Sequence, residues 1–172
     1  MRSALAVLTL ASALGCALTG GVFFAFSSFV MRALGRLPAA QGLAAMQSIN
    51  VVVINPAFML AFLGSGAACV LSSLLILSGM APASGLAGLL RHAASLSYVV
   101  GSIGVTMAFN VPRNELLARL SPAVASAEGL WARYLVEWTA YNHVRTAASL
   151  LAAILLMASL ALRDGAPPVG GP

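Results

Sequence analysis

Lysine does not occur in this chain, and only four acidic residues do: Glu115, Glu128, Glu137 and Asp164. Charged residues fill 8% of the 172 positions. A soluble globular protein carries roughly 25%, so this chain has too little charge to cover a surface in water. So few carboxylates also exclude a di-metal carboxylate centre. The two cysteines, Cys16 and Cys69, sit inside apolar segments and lack C-x-x-C spacing. They read as small buried residues rather than zinc ligands, and no metal is expected. All nine basic residues are arginines, scattered along the chain. No basic run points to nucleic acid as a partner.

What the chain has in quantity is hydrocarbon, at 60% of its residues. A length of 172 residues suits one domain. Apolar segments cover about residues 5–30, 51–77, 93–109 and 138–162. A membrane-spanning helix takes about 20 residues, and the first run is too long for a signal peptide. Arg2, Arg32, Arg36, Arg91, Arg113, Arg119, Arg133 and Arg163 lie at or between these segments, as flanking charge does beside spans. The expected fold is all-α, a four-helix transmembrane bundle forming one membrane domain over residues 1–163. The Gly/Pro-rich tail, 164–172, reads as disordered. The expected setting is the lipid bilayer of a bacterial-type inner (plasma) membrane, crossed several times, with homo-oligomerisation left open. The arginine count favours loops one and three in the cytoplasm.

Small residues should let these helices approach closely, with Gly15, Gly20 and Gly21 on the first and Gly64, Gly66 and Ala67 on the second. Pro38 opens a short helix with Met46 and Ile49 on its apolar side. Residues 78–90 read as a loop. Asn110-Val-Pro-Arg-Asn114 reads as a turn, because Pro112 disfavours helix at Val111. Ser126 to Glu128 reads as the cap of a helix running through Trp131 and Tyr134 into the last span.

The polar residues concentrate at one place, Trp138-Thr-Ala-Tyr-Asn142-His143-Val-Arg145-Thr146, where the last span enters the membrane. Ionisable groups there are costly in hydrocarbon and should face a protein interior. At about 100° per residue, Trp138, Asn142 and Arg145 fall within about 60° of one another, and His143 lies about 140° around from Trp138. The imidazole of His143 suits a proton acceptor or an interhelical hydrogen bond. Arg145 suits oxyanion stabilisation or an anchor paired with Glu137 or Glu115. Trp138 suits stacking on an aromatic ligand or an interfacial belt. Phe23, Phe24, Phe26 and Phe29 are candidates for an aromatic pocket. Asn50, Asn55, Thr106 and Asn110 flank span ends. Connectivity puts the end of the first span, the start of the second, the end of the third and the start of the fourth on one membrane face. The polar residues should therefore converge into one site.

Five stretches, Gly21-Val-Phe-Phe-Ala-Phe-Ser-Ser-Phe-Val-Met31, Met46-Gln-Ser-Ile-Asn50, Asn55-Pro-Ala-Phe-Met59, Asn110-Val-Pro-Arg-Asn114 and Trp138 to Thr146, occur in order. In these the chain resembles the small four-helix membrane proteins of the anthrone oxygenase-like family. The resemblance implies oxidation of an anthrone-like phenolic substrate to a quinone with dioxygen, without a cofactor. A base removes an acidic methylene proton, the enolate reacts with dioxygen, and the peroxide loses water. On that reading His143 is the base and Arg145 and Asn142 stabilise the enolate or peroxide. Trp138 and Phe26 contact the rings, and Asn50, Asn110 and Asn114 orient groups at the mouth. The alternative is a non-enzymatic small membrane protein that binds a quinone or lipid, or serves as a partner subunit. A haem or quinone redox subunit using His143 as ligand is a third reading. Both the enzyme and the non-enzyme reading stay open on sequence.

Overall fold

The computed structural model describes residues 2–81, 85–121 and 127–162. Four helices are long and apolar enough to cross a membrane: α1 (Ser3–Leu34), α3 (Pro56–Leu77), α4 (Gly85–Ala118) and α5 (Glu128–Ala161). A shorter helix, α2 (Ala39–Val52), lies between the first two. The described residues contain no strand. The protein is an all-α bundle, an integral multi-pass membrane protein.

Why these helices associate is written in which side chains they hide. On α1 the buried stripe is Leu5, Thr9, Ser12, Ala13, Cys16, Thr19, Phe23, Ser27 and Met31, at three- and four-residue spacing. On α5 it is Trp131, Tyr134, Trp138, Asn142, Arg145, Ser149, Ala152, Leu156 and Ser159. These two stripes pack together along most of their length. The large aliphatic residues, Val7, Leu10, Leu14 and Leu18 on α1 and Leu151, Ile154 and Met157 on α5, are exposed. Polar-in and aliphatic-out inverts the soluble pattern. Lipid is as apolar as leucine, so the bundle is held by close packing and interhelical hydrogen bonds.

Small residues set the closest crossings. A Cβ on Gly15 would meet the side chain of Ser65, and one on Gly66 would meet Ile103. Gly21, expected at an interface, has nothing nearby. Another tight constraint is outside the spans. Gly42 of α2 lies under the end of α1, where an added Cβ would sit 2.7 Å from the Leu34 carbonyl and 2.9 Å from the Trp131 ring. Neither neighbour can step aside easily. Gly42→Ala is expected to destabilise the fold by about 1–3 kcal/mol, read as a lower thermal unfolding midpoint of the purified protein. An unchanged midpoint would mean that α2 slides without cost.

Several boundaries differ from hydropathy alone. The apolar run beginning at Val51 is divided: α2 ends at Val52 and α3 starts at Pro56. There Asn55 accepts the Phe58 N–H at 3.0 Å and Pro56 occupies the first turn, a side-chain cap followed by a residue needing no N–H partner. The helix of α4 begins at Gly85, inside the expected 78–90 loop. It also runs on through the expected Asn110–Asn114 turn, with Val111–Ala118 helical. A widened π turn, Thr106–Asn110, precedes Pro112, and the Val111 N–H reaches back to the Thr106 carbonyl. The extra residue in that turn accommodates the proline ring that would clash in a regular α-helix. Ser126 and the 164–172 tail lie outside the described residues.

Further π turns occupy Phe26–Val30 on α1, Leu60–Gly64 on α3 and Ser97–Gly104 on α4. Such insertions re-aim the side chains around them and often sit at functional sites. Here three of the four surround one cavity.

Candidate functional site

The cavity, of about 240 Å³, opens at the end of the bundle where α1 finishes and α3 begins. All five helices line it. α1 gives Phe23 and Phe26, α2 gives Asn50, α3 gives Phe58 and Phe62, α4 gives Thr106 and Asn114, and α5 gives Trp138 and Arg145. Drug-sized ligands occupy roughly 300–1,000 Å³, so this volume suits a small planar molecule. The walls are aromatic. Phe26 and Trp138 approach at 5.7 Å between centroids, Phe23 and Phe62 meet edge to face at 6.0 Å, and Phe58 stacks on Phe62 at 6.0 Å.

Arg145 is the only ionisable side chain in this lining, and it is 5% exposed. Its guanidinium carbon lies 4.1 Å from the Phe23 ring centre and 5.0 Å from that of Trp138. One terminal nitrogen donates to Asn142 Oδ1 at 2.6 Å and the other to Thr106 Oγ1 at 3.2 Å. Its Nε has no partner. The expected anchors are engaged elsewhere or turned away. Glu137 pairs with Arg113 at 3.0 Å and Arg133 at 2.6 Å, and Glu115 is exposed. Among the described residues no carboxylate forms an ion pair with Arg145. Two π-faces and two neutral acceptors hold the cation in place but leave its charge unbalanced.

The asparagines divide into supports and lining. Asn142 is fully buried outside the cavity, and its Nδ2 donates to the Phe23 carbonyl and to Ser27 Oγ, each at 2.7 Å. It therefore fastens α5 to α1 and aims Arg145. Asn110 is buried behind the wall, donating to the Trp138 carbonyl at 3.2 Å, with its Oδ1 unpartnered. Asn114 Oδ1 accepts from both Tyr134 Oη and Trp138 Nε1 at 2.8 Å, which fixes the indole plane. Asn50 presents a buried Nδ2 that lacks a partner. Buried unpaired donors are costly. Asn50 Nδ2 and Arg145 Nε are thus two buried donors without partners on residues of the cavity wall.

The structure thus brings Phe26, Asn50, Asn110, Asn114, Trp138, Asn142 and Arg145 to one end of the bundle. His143 is not among them. It is exposed on the far side of α5 and lines a different groove with Ser27, Arg32, Arg36 and Thr139. The roughly 140° between Trp138 and His143 on the helical wheel is the reason, and it separates the imidazole from the Arg145 cavity. Sequence reading missed Phe58 and Phe62, whose i,i+4 spacing just inside the Asn55 cap was the available signal. It also missed Ser27, a hydroxyl inside a phenylalanine-rich run.

A family model described as anthrone oxygenase matches residues 58–155. That stretch holds Phe58, Phe62, Thr106, Asn110, Asn114, Trp138, Asn142 and Arg145, while Phe23, Phe26 and Asn50 precede it. No curated protein and no solved structure matches the chain.

Proposed function

The chain belongs to the anthrone oxygenase family, and from that premise we propose that its aromatic cavity binds an anthrone-like phenol as the enolate and delivers it to dioxygen. The observation that carries this reading is Arg145, a buried guanidinium with no carboxylate partner among the described residues, facing a flat aromatic slot. A buried cation without a counter-ion is unfavourable by several kcal/mol. An anionic ligand relieves that cost, so the site favours the deprotonated form of an acidic ring system over the neutral form.

The methylene C–H of the anthrone ionises and its proton leaves through the mouth to water, because the cavity lining contains neither imidazole nor carboxylate. The negative charge collects on the oxygen beside Arg145 and Asn50, where donors stabilise it. Phe23, Phe26 and Trp138 hold the rings. The enolate carbon gives electrons to dioxygen and forms a C–O bond, and the peroxide anion takes a proton back from water at the mouth. The resulting hydroperoxide loses water, and the methylene becomes a carbonyl. One dioxygen is consumed and one water released. Dioxygen itself is the oxidant, so the balance needs no further co-reactant.

The lack of a base among the lining residues favours a second reading, a binder of a quinone whose carbonyls take the same N–H groups without turnover. One experiment decides between them. Dioxygen uptake and quinone formation are followed with an anthrone and detergent-purified protein, and spontaneous autoxidation is subtracted. Protein-dependent uptake is the expected result. Quinone retention by the protein without any uptake would replace the oxygenase reading by the binder.

A further inference from the structure

The exposed side of the bundle carries a second groove, of about 570 Å³, between the end of α1 and the middle of α5. Arg32, in the last turn of α1, and Arg36, in the turn that follows it, stand at its top, both exposed. Thr139 and the exposed His143 lie on the α5 side, and Met31 and Val136 supply apolar wall. No acidic residue lines it, and among the described residues neither arginine has a carboxylate partner.

Its position says what covers it. The top of the groove is at the arginine-rich end of the bundle, level in the fold with the Arg113–Glu137–Arg133 cluster. Its deep end, at Ser27 and His143, continues into exposed apolar surface of the spans, at Phe24 one turn on along α1 and Leu151 two turns on along α5. A molecule filling it must therefore be anionic at one end and hydrocarbon at the other. We propose that the groove is a binding site for an anionic phospholipid. Arg32 and Arg36 engage the phosphodiester, Thr139 and His143 offer polar contacts beneath it, and an acyl chain runs on past Phe24 and Leu151. A zwitterionic headgroup fits poorly, because its ammonium would face two guanidiniums with no acid to pair with. The groove also backs onto the cavity described above: Ser27, in its wall, accepts a hydrogen bond from Asn142, which in turn holds Arg145.

The test is lipid retention, which does not depend on whether the protein turns over an anthrone. The full chain is placed in equimolar phosphatidylglycerol and phosphatidylcholine, delipidated stepwise, and the lipids still bound are counted by native mass spectrometry. Near a membrane surface each basic side chain strengthens anionic-lipid binding severalfold, so phosphatidylglycerol should be retained over phosphatidylcholine by at least about tenfold. The double variant Arg32→Gln/Arg36→Gln should lose that preference and keep its unfolding midpoint in phosphatidylcholine alone, because both side chains are exposed. His143→Gln should weaken it less. Equal retention of the two lipids, or a preference that survives in the double variant, overturns the proposal. Displacement of phosphatidylglycerol by millimolar inorganic phosphate would also overturn it, by showing a site for phosphate rather than lipid; no displacement supports it.

Discussion

Replacing Arg145 by methionine is expected to lower anthrone-dependent dioxygen uptake by about 10²- to 10³-fold, the usual consequence of removing a donor aimed at developing oxyanion charge. The effect follows from what surrounds the guanidinium. It lies over Phe23 and Trp138, donates to Thr106 and Asn142, and has no carboxylate partner among the described residues. Methionine has similar length, so the cavity keeps its shape. It also removes a buried charge that nothing balances, so the unfolding midpoint should not collapse. A methionine variant that remains folded and turns over at the wild-type rate would end the oxygenase assignment of this cavity.

Two companion variants separate charge from geometry. Arg145→Lys keeps the charge, but an ammonium cannot reach two acceptors in the fixed fork of a guanidinium. It should recover only part of the lost rate. His143→Ala should retain turnover, because the imidazole faces the outer groove, away from the aromatic slot. Loss of activity in that variant would instead place the proton acceptor at His143 and require the α5 helix to present another face to the substrate.

The bundle could be read from sequence because lipid imposes a simple demand. Long apolar runs with flanking arginines must cross as helices. The polar residues at the mouth were also legible, since connectivity alone brings the Asn50, Asn110 and Trp138 segments to one membrane face. Two features escaped for a definite reason. Regular 3.6-residue periodicity contains no sign of a π turn, so the re-aiming of Phe26, Phe62 and Thr106 was invisible. The same turn in α4 makes room for Pro112 and converts an apparent turn into continuous helix. The base role of His143 came from the family resemblance, while its angle on the helix had already set it apart from Trp138. Adjacent residues on a helix face different neighbours, so Asn142 points to α1 and His143 points outward.

The sharpest test of the unbalanced cation is Asn142→Asp, a change of one atom's identity at constant volume. Asn142 is fully buried, donates to the Phe23 carbonyl and Ser27, and accepts from Arg145 at 2.6 Å. An ionised aspartate keeps the acceptor and strengthens the contact to Arg145. It loses the amide donor and sets a charged oxygen against the Phe23 carbonyl. The lost hydrogen bond and the repulsion should cost about 1–3 kcal/mol of stability, seen as a lower unfolding midpoint. The larger effect should be on activity. With a carboxylate beside it, the guanidinium no longer needs a substrate anion, and the cavity no longer favours the enolate over the neutral anthrone. Dioxygen uptake should then fall toward that of Arg145→Met, with raising the pH recovering part of it by ionising the substrate in solution. If Asn142→Asp folds and oxidises anthrone as the wild type does, the missing counter-ion is not what drives the chemistry. The asparagine would then matter only as a fastener between α1 and α5.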